Sequence, residues 1–384
     1  PDPDLVQDFL RRCHSLPGHP CGRWFGIPLR KLADTEIAAD VLEMVAWYAR
    51  EDPDPQKDSW RAEEGETEYW GGDILTAGIN SVRGSAAETI SALIFNHPER
   101  LAVLGESIKH LVEDPVLSVR ACAAEIISTL TRHDPELATS LFLRLVDAED
   151  ALLGAPTIER FLSYRGIEDW DRLHAVIERM VAAEEDSVGQ AGARRAAICA
   201  LRLDKALPLA ELAAAGAAPQ RKGVAQIAAA NLAVKDSRKL CERWLTTLFS
   251  DSESEVRAEA GRWTDQIEAD DLEHLVDIAI SYMDSPAYLD DPSMLLYRLE
   301  ETTAAVPELM LYAAQRFAKG SGREATDIRR SAAADAPHAS NLAMRAYSST
   351  EDPELRSRAL DVIDQLLASG VRNMQSHIDD YEDR

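Results

Sequence analysis

The chain has 384 residues, 46% of them hydrophobic but only 6% aromatic, and a formal net charge of −26. Nucleic-acid binders carry a basic footprint and anionic membranes attract cations, so this balance argues against both and favours a protein partner with a basic face. The five cysteines, Cys13, Cys21, Cys122, Cys199 and Cys241, are scattered and odd in number. With no signal peptide or bilayer-length apolar run in the sequence, they fit a reducing, cytoplasmic setting.

Leu5–Leu16 reads as a short helix ended by Pro17 and Gly18, and Gly18–Pro28 as irregular, because Gly and Pro punctuate it. Cys13, His14, His19 and Cys21 fall within nine positions, but their spacing matches no common zinc template, so no metal site is assigned. Asp34–Arg50 is an amphipathic helix with Ile37, Val41, Met44, Val45 and Tyr48 on one face. Glu51–Asp73 is a long acidic loop carrying Glu51, Asp52, Asp54, Asp58, Glu63, Glu64, Glu66 and Glu68 against Lys57 and Arg61. Its aromatics, Trp60, Tyr69 and Trp70, are candidate partner-binding residues; the alternative is a solvated linker whose aromatics pin its ends.

Helical patterns then follow one another: Ile74–Phe95, Pro98–Val112, Val116–Leu130, and a stripe of Leu137, Leu141 and Leu145. Leu152–Arg165 is short and poorly periodic, a hinge or a degenerate repeat. Asp169–Val181, Gln190–Leu203, Ala206–Ala215, Arg221–Val234, Arg238–Phe249 and Glu253–Ile267 resume the pattern, and Leu272, Leu275, Ala279 and Tyr282 line the next helix. Asp284–Pro292 reads as a second acidic, aromatic loop, which adds Tyr288 to the candidate partner-binding set. Leu295–Thr303, Glu308–Ala318, Asp327–Ala334, Ala339–Tyr347 and Pro353–Ala368 complete the helices, and the acidic Val371–Arg384 is expected to fray. No period-2 strand pattern stands out.

One frame recurs. Asp114–Ala123 and Asp251–Ala260 share Asp, four residues, Val-Arg-Ala, one residue, Ala. The Asp is expected to cap the following helix. The Arg falls in a first turn, where the helix dipole disfavours it, so Arg120 and Arg257 are each expected to be held by a carboxylate of an adjacent repeat. Ala123 and Ala260 leave room for a neighbouring helix. Looser echoes precede Arg83, Arg194, Arg329 and Arg356; from Val82 through Val119, Ala193, Val256, Ile328 and Leu355 the steps are 37, 74, 63, 72 and 27 residues. One or two repeats of about 35–40 residues fit most of these gaps.

This frame resembles the HEAT-repeat family, whose second helices commonly open in this way. The resemblance implies an all-α, HEAT-like α-solenoid of stacked antiparallel helix pairs over residues 74–370, after an irregular helical segment at 1–73 and before an acidic tail at 371–384. It also implies a protein-binding or scaffolding role. The run Asn80–Glu88, with repeats behind it, resembles helical C-terminal regions of large bacterial STAND-type NTPases, in which a repeat array senses a foreign protein in antiviral defence. The first Met is Met44, and the chain is expected to be part of a larger protein or complex.

No phosphate loop, nucleophile elbow or His-Glu-x-x-His motif is present. His174 with Glu178, and the pairs Asp270-Asp271 and Glu300-Glu301, are better read as solvated partners and caps than as catalysts. No catalytic, cofactor-binding or metal residue is assigned, and the chain is read as a non-enzyme. Two alternatives stand beside that reading. One is a DNA-glycosylase-like HEAT enzyme, which needs a basic cleft; the other is a structural spacer.

Overall fold

The computed structural model describes residues 2–60, 72–320 and 331–368. Among these residues the fold is all-α, with no strand. The chain divides into two compact units, Pro1–Arg195 and Ala196–Arg384.

In the first unit the helices are α1 (Pro3–His14), α2 (Gly22–Lys31), α3 (Ala39–Arg50), α4 (Ile74–Ile79), α5 (Val82–Phe95), α6 (Leu101–Val112), α7 (Leu117–Leu130), α8 (Pro135–Leu145), α9 (Pro156–Arg165) and α10 (Trp170–Val181). The division between units falls inside α11 (Asp186–Ala200). The helices form two layers. One runs α2, α5, α7, α9 and the other α3, α6, α8, with α6 wedged against both α5 and α7. The middle helices α5 and α7 are buried on most of their surface, as a layered core demands. Ile90, Leu93 and Ile94 of α5, and Val119, Ile126, Ile127 and Leu130 of α7, are fully buried. Each such side chain contributes about 1.5–3 kcal/mol by leaving water. Small Ala87, Ala121, Ala123 and Ala124, also fully buried, let the helix axes approach.

Several local expectations are corrected. Gly18–Pro28 is not irregular throughout, because α2 begins at Gly22 and carries Pro28 within it. The glycines there are packing residues. A Cβ on Gly26 would collide with the Thr89 side chain of α5, and one on Gly22 would press on Tyr48 and Val82 at 3.1 Å. Ile74–Phe95 is two helices broken at Asn80-Ser81, where the Ser81 hydroxyl accepts from the Gly84 N–H at 3.1 Å and caps α5. Leu152–Arg165 is an ordinary helix, α9, entered through a 3-10 turn at Asp150–Gly154, with Ile158, Phe161 and Leu162 in the core.

The second unit holds α12 (Leu207–Ala214), α13 (Ala218–Asn231), α14 (Arg238–Leu248), α15 (Ser254–Gly261), α16 (Val276–Met283), α17 (Pro286–Asp290), α18 (Ser293–Glu301), α19 (Pro307–Gly320), α20 (Ser331–Ser349) and α21 (Pro353–Ala368). Here α13 packs on α14 and α15, and α20 packs on α18, α19 and α21. The pattern read as two helices around Asp327–Ala334 and Ala339–Tyr347 is one helix from Ser331, which accommodates Pro337 within it. Residues 321–330 lie outside the described residues.

The recurring frame proves to be a ladder, though not quite the expected one. Asp114 and Asp251 do not cap the next helix. Each makes a tighter turn, its Oδ1 accepting the N–H two residues on, from Val116 and Glu253 respectively, both at 2.9 Å. Each instead receives the Arg at the start of the preceding repeat. Arg83 grips Asp114 through Nε at 2.7 Å and Nη2 at 3.1 Å. Arg221 grips Asp251 through the same atoms at 2.6 and 2.9 Å. Arg257 meets Asp290 at 2.7 Å, as its position in the frame requires. Arg120 departs from the expectation. It is held by carbonyls, with Nε on Asp114 O at 2.6 Å and Nη1 on Asp147 O at 3.2 Å and Leu145 O at 3.3 Å. A cation near the end of α8 suits the exposed carbonyls there as well as a carboxylate would.

Candidate binding cleft

The first unit carries a cleft of about 660 Å³ along the α2–α5–α7–α9 layer. Small-molecule and peptide sites commonly fall in this size range. Its walls come from equivalent positions of successive repeats. Glu88 of α5 and Glu125 of α7 are 37 residues apart, the same step that separates Val82 from Val119. Arg30 of α2 flanks one end and Arg160 of α9 the other.

The charges are paired end to end. Arg30 Nη1 lies 3.4 Å from Glu88 Oε2, and Arg160 Nη1 donates to both Glu125 carboxylate oxygens at 2.7 Å. The floor is polar and largely satisfied. The Ser91 and Thr129 hydroxyls share a 2.8 Å hydrogen bond, and Thr157 Oγ1 donates to the Ala121 carbonyl at 2.7 Å, tying α9 to α7. Phe95 closes one side, 43% exposed, with the Arg132 guanidinium 4.3 Å from its ring centre.

Glu88 is the electrostatically strained member. Burial pushes its carboxyl above the ordinary glutamate range; Arg30 pulls it back in part, and Glu125 pushes it further up. The Cys122 thiol in the cleft floor is pushed far up by complete burial, which leaves no thiolate to act as a nucleophile. No histidine lines the cleft. Its acids, Asp34, Glu88 and Glu125, outnumber its bases, Arg30 and Arg160, so it lacks the positive field that a phosphate backbone needs.

Two of the four candidate partner-binding aromatics are among the described residues. Tyr69 and Trp70 lie outside the described residues. Trp60 is described and half-buried. Tyr288 is corrected: it sits on α17, not on a loop, is 1% exposed, and donates its hydroxyl to the Ala313 carbonyl at 3.0 Å. Burial pushes its phenol far up. A side chain so placed stabilises the core and offers a partner no surface.

The first part of the acidic loop is anchored, by its carboxylates and carbonyls. Asp54 Oδ2 accepts the Val82 N–H at 2.8 Å, and Asp58 accepts the Leu117 and Ser118 N–H groups at 3.1 and 3.0 Å. These acids neutralise the free amides at the starts of α5 and α7. The Asp52 and Pro55 carbonyls take Arg83 Nη1 and Nη2, each at 2.9 Å.

The other candidate groups have structural partners. His174 Nδ1 pairs with the Trp170 carbonyl at 3.2 Å, one turn back on its own helix. Asp271 completes a capping box with Glu268, and Asp270 accepts from Thr302 and Thr303. Among the described residues no group of three or more His, Cys, Asp or Glu side chains is arranged to hold a metal ion. None of the described helices is long and apolar enough to cross a membrane.

No family model matches the chain, and no curated protein matches it in sequence. Among solved structures it is similar to a chain in "Structure of the Pds5-Scc1 complex and implications for cohesin function", at 13% identity and a TM-score of 0.34 over 95% of this chain and 68% of that one. A likeness of that size carries no argument about function.

Proposed function

We propose that this chain is a non-catalytic protein-recognition module and that the α2–α5–α7–α9 cleft is its contact surface. The observation that supports this reading is the row of Arg30, Glu88, Glu125 and Arg160 along one concave wall, with Glu88 and Glu125 at equivalent repeat positions and each charge only partly buried. Repeat arrays recognise extended partners through such rows of equivalent positions. Fixed charges of both signs select a partner whose own charges complement them. The excess of negative charge over the whole chain favours a partner with a basic face.

The finer setting belongs to the same proposal. In it the array is the sensing part of a larger cytoplasmic bacterial protein, such as a defence NTPase. The Asn80–Glu88 stretch on which that likeness rests has structural tasks of its own. Ser81 caps α5, Arg83 binds Asp114, and Ser85 donates to the Arg23 carbonyl at 3.1 Å. It therefore adds little support to that setting beyond the helical-repeat class. A glycosylase-like activity is disfavoured by the acidic balance of the cleft.

Charge reversal tests the contact surface. Exchanging the signs of Glu125 and Arg160 together keeps their pairing within the chain but inverts the order of charge that a partner meets. The doubly exchanged protein is expected to melt as the parent does and to lose its partner in affinity capture from native extract. Undiminished capture would remove the cleft from the interface. Alanine at Trp60, Tyr69 and Trp70 together tests the acidic loop as the rival contact.

A further inference from the structure

We propose that α1 carries a self-association surface: its exposed stripe of Leu5, Phe9, Arg12 and Leu16 docks antiparallel on the same stripe of a second copy of this chain.

The stripe has no cover within the chain. α1 packs on α2 and α3 and buries Gln7, Leu10 and Cys13. On the opposite face Leu5 is 69% exposed, Phe9 is 59% exposed and Leu16, just beyond the helix end, is 47% exposed. Three large apolar side chains left in water along one helix face mark a contact surface.

Two observations point to a second copy as the occupant. The first is spacing. The steps from Leu5 to Phe9, Arg12 and Leu16 are four, three and four residues, the seam of a two-helix coiled coil. The steps are the same from either end. An isologous contact demands this, because residue i must meet residue j while j meets i. About a two-fold axis between Leu10 and Arg11, Leu5 meets Leu16 of the second copy, and Phe9 meets its Arg12.

The second is charge. Asp4 lies in the first turn of α1 and Arg11, Arg12 and His14 in the last, so the helix runs from acid to base. An antiparallel copy therefore sets base over acid, and a parallel copy does not. Arg11 is already held, by Asp8 at 2.7 Å and by Asp40 at 2.6 and 2.9 Å. Arg12 is exposed and makes no side-chain hydrogen bond or ion pair among the described residues. In the antiparallel pair it reaches the Phe9 ring and the Asp8 carboxylate of the second copy, the contacts it lacks in one chain. One helix from each copy makes less than a standard interface, so a weak dimer is expected, with a Kd of about 10–100 μM. α1 lines no part of the α2–α5–α7–α9 cleft, so this contact stands apart from partner recognition.

The test is sedimentation equilibrium from about 5 to 300 μM chain in about 0.15 M salt, which screens the long-range repulsion between two copies of net charge −26. A monomer–dimer equilibrium is expected. Phe9→Glu and Arg12→Asp should each weaken it at least about tenfold, and joining Asp8→Arg to Arg12→Asp should restore it to within about threefold. All three positions are exposed, so the circular dichroism should not change. Leu212→Glu, at a residue of α12 that is 61% exposed, should leave the dimer intact. Register is read by mild oxidation of the Leu5→Cys/Leu16→Cys chain, whose dimer should yield peptides joined from position 5 to position 16. The two positions lie about 16 Å apart within one helix, too far for a bridge inside a single chain. A chain that stays monomeric throughout overturns the proposal and leaves the stripe to a different protein. A dimer untouched by Phe9→Glu, or one joined from position 5 to position 5, overturns it as well.

Discussion

Replacing Arg83 by alanine isolates the rung of the ladder that is most deeply buried. The Arg83 and Asp114 side chains are 9% and 0% exposed, respectively. The substitution removes two bonds to the Asp114 carboxylate and one each to the Asp52 and Pro55 carbonyls. Asp114 keeps only the Val116 N–H among these partners and is left as a buried charge without its counter-ion. Breaking one side of a buried pair costs about 3–5 kcal/mol, most of it from the stranded charge. For a cooperative unit of the size of Pro1–Arg195 this corresponds to a fall in Tm of about 6–20 °C. The assay is thermal unfolding by circular dichroism, run on Arg83→Ala, Asp114→Ala and the double variant at pH 7. The two single losses should be strongly non-additive, since the double variant strands no charge. Hydrogen exchange should also show the Leu117 and Ser118 amides losing protection, because the loop that presents Asp58 is held by the Arg83 bonds to Asp52 and Pro55. A Tm within about 2 °C of the parent, or simple additivity, would refute the claim that this pair locks adjacent repeats.

Other outcomes follow from the same geometry. Gly26→Ala forces a methyl group into Thr89 and should destabilise the first unit by about 1–3 kcal/mol, read as a lower melting temperature. Glu88→Gln should raise Tm at pH 7 by about 1–2 °C. Folding raises that carboxyl's pKa above its ordinary 4.5, so its charge opposes folding; the gain should therefore vanish as the pH falls well below 4.5, where the carboxyl is neutral in both folded and unfolded chains. Asp251→Asn should do the reverse. Burial alone would raise Asp251, but the Arg221 side chain, the Glu253 N–H and the Arg257 charge hold it below its ordinary 3.8. Its contribution is thus complete above that pH and lost as the pH falls through the lower folded value, so the variant should melt earlier at pH 7 and equally in strong acid. Tyr288→Phe should cost about 1 kcal/mol of stability through the lost bond to Ala313, and leave partner capture unchanged.

The helical-repeat architecture was legible because Val119 and Val256 sit in one frame, and a stacked repeat must reproduce its contacts at fixed intervals. The ladder was half legible. The frame marked Arg257 as needing a carboxylate, yet it does not say that Arg120 meets the Asp114, Leu145 and Asp147 carbonyls while Arg83 meets the Asp114 carboxylate, since Leu145, Asp147 and, for Arg83, Asp114 lie in the neighbouring repeat. Gly22 and Gly26 misled because a glycine that breaks a helix and one that lets two helices touch look alike in sequence. Tyr288 misled because acidic neighbours suggested solvent, although Asp290 faces Arg257 and the tyrosine ring turns inward. The cleft was readable but unread: the 37-residue step from Val82 to Val119 carries Glu88 onto Glu125, and extending the frame six positions further would have found them.

Site-specific photocrosslinking tests the recognition claim most directly. A photoreactive amino acid replaces Ala92 in the cleft of one sample and Lys109 on α6 of another, and each is irradiated in native extract. The account predicts a discrete crosslinked protein from position 92, abolished by the combined exchange of Glu125 and Arg160, and none from position 109. Equal crosslinking at both positions, or crosslinking at 92 that survives the exchange, would contradict it.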